Sequence, residues 1–350
     1  MVRAVIRLSL PYGVRTDGAF RPTEGMRKHP NCRHSMANAC SLTAQVGGQG
    51  FMISQPVCVA PAGDRCGEGV VWHPGHAAVY WTDINRFLIH RLTLADECVR
   101  TWFFEEPVTA LTLTDRDDVL AVVLGSCVIL WEPASDLRHK AIYRLEGWPK
   151  VRLNEARADP SGSLWVGSMQ NNVNPDGSPC PIDGKHGVLY RLDPDAGVSV
   201  HKTQIGISNT LAWSPDGRCL YFADTLANTI WAYDYDPATR KIGNERPFFQ
   251  NFARGRPDGS TVDAEGYLWN CRYSGACIVR VAPNGQIDRV VEMPVQNITT
   301  CIFGGPDRET LYATTAAAGA PASDRLAGGL YAIRTTVSGL PENRFCVFGS

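Results

Sequence analysis

The chain has 350 residues, with 34 Lys and Arg against 35 Asp and Glu. That near-neutral balance argues against nucleic acid or another polyanion as partner. No apolar run approaches the roughly 18 residues of a membrane span. A hydrophobic content of 44% suits a globular protein long enough for one large domain.

Met1 to Gly50 carries Pro, Gly, Arg and Asn with little periodicity. VRAVIRLSL is broken by Arg7 and followed by no cleavage site, so a presequence is the weaker account. We expect residues 1–51 to form a disordered extension and Met52 to open the domain, which then runs over 52–350.

From there one sentence recurs six times: a Pro/Asp/Gly turn, an apolar strand, then a second strand. The first halves are WHPGHAAVYWTDI (Trp72 to Ile84), LTDRDDVLAVVLGS (Leu113 to Ser126), ADPSGSLWVGSM (Ala158 to Met169), WSPDGRCLYFADT (Trp213 to Thr225), VDAEGYLWNCRYSG (Val262 to Gly275) and FGGPDRETLYATT (Phe303 to Thr315). FLIHRL from Phe87 and TIWAYDYDP from Thr229 are examples of the second halves. The turns preset φ or supply φ > 0, and the strands hold the Val, Leu, Trp, Tyr and Phe that a pleated, half-buried surface favours. Turn markers at Gly75, Asp117, Gly162, Gly217, Gly266 and Asp307 lie 42, 45, 55, 49 and 41 residues apart. Such a period predicts an all-β, six-bladed β-propeller, with chemistry on the loops around its channel.

The 12 cysteines are scattered and never form C-x-x-C, which argues against a structural zinc site. Cys127, Cys219, Cys271, Cys277 and Cys301 fall in strand patterns. We expect reduced, mostly buried thiols and a cytoplasmic protein.

Four polar motifs interrupt the repeats: CGEGVVWHP (Cys66 to Pro74), RLNEARADPSG (Arg152 to Gly162), GISNTLAWSPDG (Gly206 to Gly217) and GRPDGSTVDAEG (Gly255 to Gly266). Taken alone their residues are ambiguous. Glu68 could be a solvated strand edge, Asn209 a turn former and Asp258 a P-D-G turn residue no different from Asp216. Arg152 could pair with Glu155.

In order and spacing, the four motifs resemble those of the SMP-30/gluconolactonase, or regucalcin-like, family over residues 57–335. The resemblance implies a propeller that binds one divalent metal through Glu68, Asn209 and Asp258. Oxygen donors of this kind suit a hard cation; the metal could be Ca²⁺, Zn²⁺, Mn²⁺, Mg²⁺ or Fe²⁺. It also implies that Arg152 and Asn154 contact a sugar lactone, with Glu155 and Asn172 (Asn171 beside it) at further substrate positions. The sequence departs from the family pattern at Glu155, where many members have Asp, and at Thr210, where the usual S-N-G reads S-N-T. The polar loop from Gln170 to Gly187 is long.

These features predict a metal-dependent sugar lactonase, with Asp258 or a water it orients as general base. No G-x-S-x-G elbow is present to support an acyl-enzyme. The expected partner is a small sugar lactone, and the protein a monomer or weak homo-oligomer. Two alternatives are a metal-dependent esterase or phosphotriesterase on the same scaffold and a non-enzymatic calcium-binding propeller.

Overall fold

A computed structural model describes residues 53–347. The predicted extension and its boundary at Met52 lie outside them. Every regular element among the described residues is a β-strand, and the strands form six small antiparallel sheets. The inner strands, in chain order, are Gly67–His73, Val108–Leu113, Val151–Ala158, Ser208–Trp213, Arg256–Val262 and Ile298–Gly304. Each packs beside the next, and the sixth returns to the first. The fold is the expected six-bladed propeller.

The recurring sequence unit is the second and third strands of each blade. In blade 1 these are Ala78–Asp83 and Leu88–Thr93, and in blade 4 Cys219–Asp224 and Thr229–Asp236. In blades 3 and 5 the turn before the second strand has a buried anchor. Asp159 accepts the backbone N–H groups of Ser161 and Ser163 and the indole N–H of Trp165 at 2.9 Å. Asp263 does the same for Glu265, Tyr267 and Trp269. Gly162 and Gly266 stand at φ 82° and 85°, the left-handed conformation such turns require. The Trp165 and Trp269 side chains thus fill the core with their polar tips satisfied.

The ring closes by a clasp. Val57–Ala60 pairs antiparallel with Leu330–Arg334 and becomes the outer strand of blade 6. The Ser54 hydroxyl accepts the Arg334 N–H at 2.8 Å, and an isolated bridge joins Ile53 to Thr335. At the other chain end a tail crosses the face where the inner strands finish. Bridges join Gly339 to Asp263 and Phe345 to Thr114, and Phe345 is buried in the core between blades 2 and 3.

The ten cysteines of the described residues are free thiols. Cys127, Cys271, Cys277 and Cys301 are buried, Cys219 is half-buried and Cys98 is exposed. No helix among the described residues is long and apolar enough to cross a membrane.

The clasp gives a stability prediction. A chain beginning at Met52 keeps Val57–Ala60, whereas one beginning at Ala62 loses it and bares an edge of blade 6. The first should melt like the full chain. The second should melt roughly 10 °C lower, the effect of several kcal/mol at about 2–4 °C each in a domain of this size. Calorimetry of the three chains checks both.

A candidate active site at the channel mouth

All six inner strands run in the same sense, so their first residues gather at one mouth. Each breaks register with its neighbour near that end. The steps fall between Glu68 and Val71, Val108 and Ala110, Leu153 and Ala156, Asn209 and Leu211, Pro257 and Ser260, and Ile298 and Cys301. A β-bulge bends its strand and re-aims side chains. Here the bulges hold or adjoin Glu68, Asn154, Glu155, Asn209 and Asp258. They also let the ring tighten: a Cβ on Gly69 would lie 2.8 Å from the Ala110 Cα of the next inner strand.

Glu68, Arg152, Asn154, Glu155, Asn209 and Asp258 are each between 4% and 9% exposed, and Asn172 is half-buried beside them. Arg152 donates from Nε and Nη2 to Asn172 Oδ1 at 3.0 and 2.8 Å, and from Nη1 to Asn154 Oδ1 at 2.5 Å. It makes no hydrogen bond to Glu155. The Asn154 amide donates to Ser208 O at 2.8 Å and to Asn209 Oδ1 at 3.3 Å. Asn209 in turn donates from Nδ2 to the Thr225 hydroxyl at 2.8 Å, and Thr225 donates on to Pro257 O at 2.8 Å. Thr225 therefore fixes which way the Asn209 amide faces and ties its blade to the strand of Asp258. Asn171 bonds Pro149 O, before the inner strand of the same blade, and the Val173 N–H.

Two loops that enter the site are pinned alike. The Asp83 carboxylate accepts the N–H groups of Arg65 and Cys66, just before Glu68. The Asp224 carboxylate accepts those of Gly206 and Ile207, just before Asn209. Both aspartates end the second strand of their blade.

Burial pushes the Glu68 carboxyl well above the ordinary carboxylate range, and the charges of Asp258 and Glu155 add to the shift. Burial, then Glu155, does the same to Asp258. Glu68 accepts the Gly69 N–H at 3.1 Å, and the Gly259 N–H opposes the rise at Asp258. Glu155, also raised by burial, feels Arg157, which pairs with Glu342 of the tail at 3.4 Å. Burial lowers Arg152 to about 10, against the pull of Cys66 and Glu68.

Among the described residues no three His, Cys, Asp or Glu side chains are grouped to hold a metal. The set at the mouth is mixed instead: the Glu68 and Asp258 carboxylates with the amide oxygen of Asn209. Buried carboxylates that repel one another, next to an oriented neutral oxygen, fit a hard divalent cation. Asp216 lies at the opposite end of the channel, on a cavity of about 370 Å³. It accepts from the Ser214 hydroxyl and the Arg218 N–H, so it is a turn residue. Thr225, Asp83 and Asp224 are residues of the mouth end that sequence reasoning missed. The one signal for the two aspartates was the likeness of YWTD (Tyr80 to Asp83) to YFAD (Tyr221 to Asp224).

Residues 66–317 match the family model described as the SMP-30/Gluconolactonase/LRE-like region. The chain is 32% identical to the pentonolactonase of Haloferax volcanii, over 80% of this chain and 94% of that protein. It is 30% identical to regucalcin of Bos taurus, over 81% and 96%. The structure matches that of a luciferin-regenerating enzyme with a TM-score of 0.74 at 28% identity, covering 85% of this chain and all of that one.

The buried carboxylates set a pH dependence. With the folded-state pKa raised, the native protein holds more protons than the unfolded chain between the ordinary carboxylate value and the raised one. Its stability therefore falls as pH rises through that window, and the loss is complete above it. In chelator, Glu68→Gln should melt above wild type by about 2–4 °C at neutral pH, roughly 1 kcal/mol. The gap should vanish near pH ~4, close to the ordinary carboxylate pKa. Thermal melts across pH check it.

Proposed function

The chain belongs to the SMP-30/gluconolactonase/LRE-like family, and on that premise we propose that it is a metal-dependent lactonase. It opens an aldono-1,4- or 1,5-lactone to the sugar acid. The observation that carries this reading is that Glu68, Asn209 and Asp258, oxygen donors on three blades, are all buried near the start of their inner strands. The name of the Haloferax volcanii relative, matched over 94% of its length, supports it.

Glu68, Asn209 and Asp258 would hold the cation. An all-oxygen set favours Ca²⁺, Mg²⁺ or Mn²⁺ over Zn²⁺. When bound, the cation supplies Lewis-acid polarisation of the lactone carbonyl. The chain's own groups do the rest. Arg152 has five N–H donors. With both Nη1 protons on Leu153 O and Asn154 Oδ1, and Nε and one Nη2 proton on Asn172 Oδ1, one Nη2 proton is left for a substrate oxygen. Asn154 Oδ1 keeps a lone pair for a ring hydroxyl. Asn172, held by its oxygen, presents its NH₂. Glu155 sits among the buried charges and adds negative potential.

Asp258 takes the proton of the attacking water as the new C–O bond forms at the carbonyl carbon. The ring C–O bond then breaks and the proton passes to the departing ring oxygen, so lactone and water give the hydroxy acid. The free thiols support a reducing compartment, the cytoplasm.

Proton release from a panel of aldonolactones, with and without EDTA, tests the activity. We expect turnover that chelation abolishes; an unchanged rate in EDTA sinks the metal. Asp258→Asn should lower kcat by about 10²–10⁴, the usual worth of a general base, and saturating metal should not restore it. Asp216→Asn should stay within about twofold, as befits a surface turn residue. If the two variants behave alike, the assignment of Asp258 fails. Arg152→Ala should cost about 1.5–3 kcal/mol in kcat/KM, the worth of a charged hydrogen bond, with metal content unchanged.

A further inference from the structure

Thr210 is fully buried and stands at φ 49°. A β-branched residue is an outlier in the left-handed region, where glycine fits without strain. The matching bulge of blade 1 does place a glycine there, Gly69 at φ 54°. An outlier of this kind persists only where its surroundings over-determine it, and here hydrogen bonds do so.

The register of blade 5 steps from Pro257 opposite Arg272 to Ser260 opposite Asn270, so Asp258 and Gly259 face no partner residue. The Asp258 carbonyl instead receives the Thr210 hydroxyl at 2.5 Å, with the Asn270 amide more distant at 3.4 Å. With its proton committed there, Thr210 Oγ1 accepts from the Ser260 hydroxyl at 2.8 Å. Ser260 accepts from Asn270 Nδ2 at 2.9 Å, and Asn270 Oδ1 accepts from Arg272 Nη1 at 3.1 Å. All four side chains are at most 1% exposed. Every donor in the chain points the same way, from a guanidinium to one carbonyl, so each bond polarises the next.

We propose that Thr210 is a positioning residue: it ends a one-way hydrogen-bond relay from Arg272 through Asn270 and Ser260 and fixes the peptide between Asp258 and Gly259. That peptide is planar and trans, so anchoring its carbonyl aims its N–H the opposite way. The Gly259 N–H faces the Asp258 carboxylate and opposes the rise that burial causes in its pKa. Thr210 thus holds, across a blade boundary, the one local group that orients the proposed base and ligand. Arg272 is itself seated on the carbonyls of Arg254 and Gly255 and on Asn228 Oδ1, so the relay starts from a fixed point. The inference rests on the role proposed for Asp258.

Three variants separate positioning from mere packing. Thr210→Ser keeps the hydroxyl, Thr210→Val keeps the shape, and Thr210→Gly relieves the backbone. Calcium ion alone is titrated calorimetrically, and melting is followed in chelator. Thr210→Ser should bind Ca²⁺ within about threefold of wild type, whereas Thr210→Val and Thr210→Gly should bind about tenfold or more weakly, as for a lost buried hydrogen bond. Thr210→Gly should nonetheless melt no lower than Thr210→Val, because glycine accepts the positive φ that strains a β-branched residue. Equal Ca²⁺ affinity in all four proteins overturns the proposal, as does weakening that follows melting temperature. A wild type that binds no divalent cation overturns the metal reading instead, and hydrogen exchange at the Gly259 N–H then decides the relay. Exchange at least about tenfold faster in Thr210→Val than in Thr210→Ser supports it, and equal exchange overturns it.

Discussion

Two carboxylates, Glu68 and Asp258, are buried at the head of a closed ring of strands with Glu155 close by, and the two nearest guanidinium groups are both engaged elsewhere. Arg152 is bound by the amides of Asn154 and Asn172. Arg272 is bound by backbone carbonyls and the amides of Asn228 and Asn270. Elsewhere in the molecule arginine and aspartate pair directly, as Arg280 does with Asp263 at 2.7 Å and Arg86 with Asp64 at 2.8 Å. At the mouth the same side-chain types are present but kept apart by neutral acceptors. A direct pair would neutralise the site and close it. Spending the cations on amides leaves a concentration of negative charge that something else must balance.

Such repulsion would push the strands apart if their ends were loose, and much of the surrounding structure resists that. Asp83 and Asp224 hold the loops entering blades 1 and 4, Thr225 fastens blade 4 to blade 5, and the clasp of Val57–Ala60 closes the ring. The Thr299 hydroxyl donates to Gly67 O at 2.6 Å and joins blade 6 to blade 1 directly beside Glu68. The tail ties blades together at the other end, where Glu342 engages Arg157 and Arg344 reaches Thr114 O and Asp117. The Arg157 guanidinium partly compensates Glu155, and the tail gives it a second carboxylate.

The parts of this arrangement differ in how legible they are. The middle strands of each blade announce themselves because turn chemistry and β-propensity are local properties. The inner strands do not: they are buried on both faces, so they show no alternation, and their bulges break what period remains. The clasp pairs Val57 with Ala332, a partnership no local pattern encodes. Outer strands such as Cys98–Phe103, mostly exposed, carry a weak signal for the opposite reason. At the site, Asp258 and Asp216 stand in the same P-D-G tripeptide, yet one occupies an inner-strand bulge and the other a solvent turn. Residue type and neighbours cannot separate them. Only the order of four motifs along the chain did so, through resemblance. Thr210 was visible as a departure from that pattern, but its partner lies on another blade, so the departure could not be interpreted.

Protonation and cation binding would both relieve the repulsion between Glu68 and Asp258, and Asn209 helps decide between them. A shared proton needs two carboxylate oxygens and nothing more, as in a carboxylate dyad. It gains nothing from a third oxygen belonging to a group that neither gains nor loses charge. Here such an oxygen is provided deliberately: Thr225 takes the Asn209 NH₂, so the carbonyl side of the amide is turned away from Thr225 and toward Asn154. The cost is a hydroxyl and an amide buried together, with Pro257 O to complete the set. The cation proposed for this site would gather several oxygens, charged and neutral, and would give that construction a purpose. The same reasoning accounts for the bulges. A regular strand would send successive side chains to opposite faces, whereas a break in each of three blades re-aims the strand at Glu68, Asn209 and Asp258.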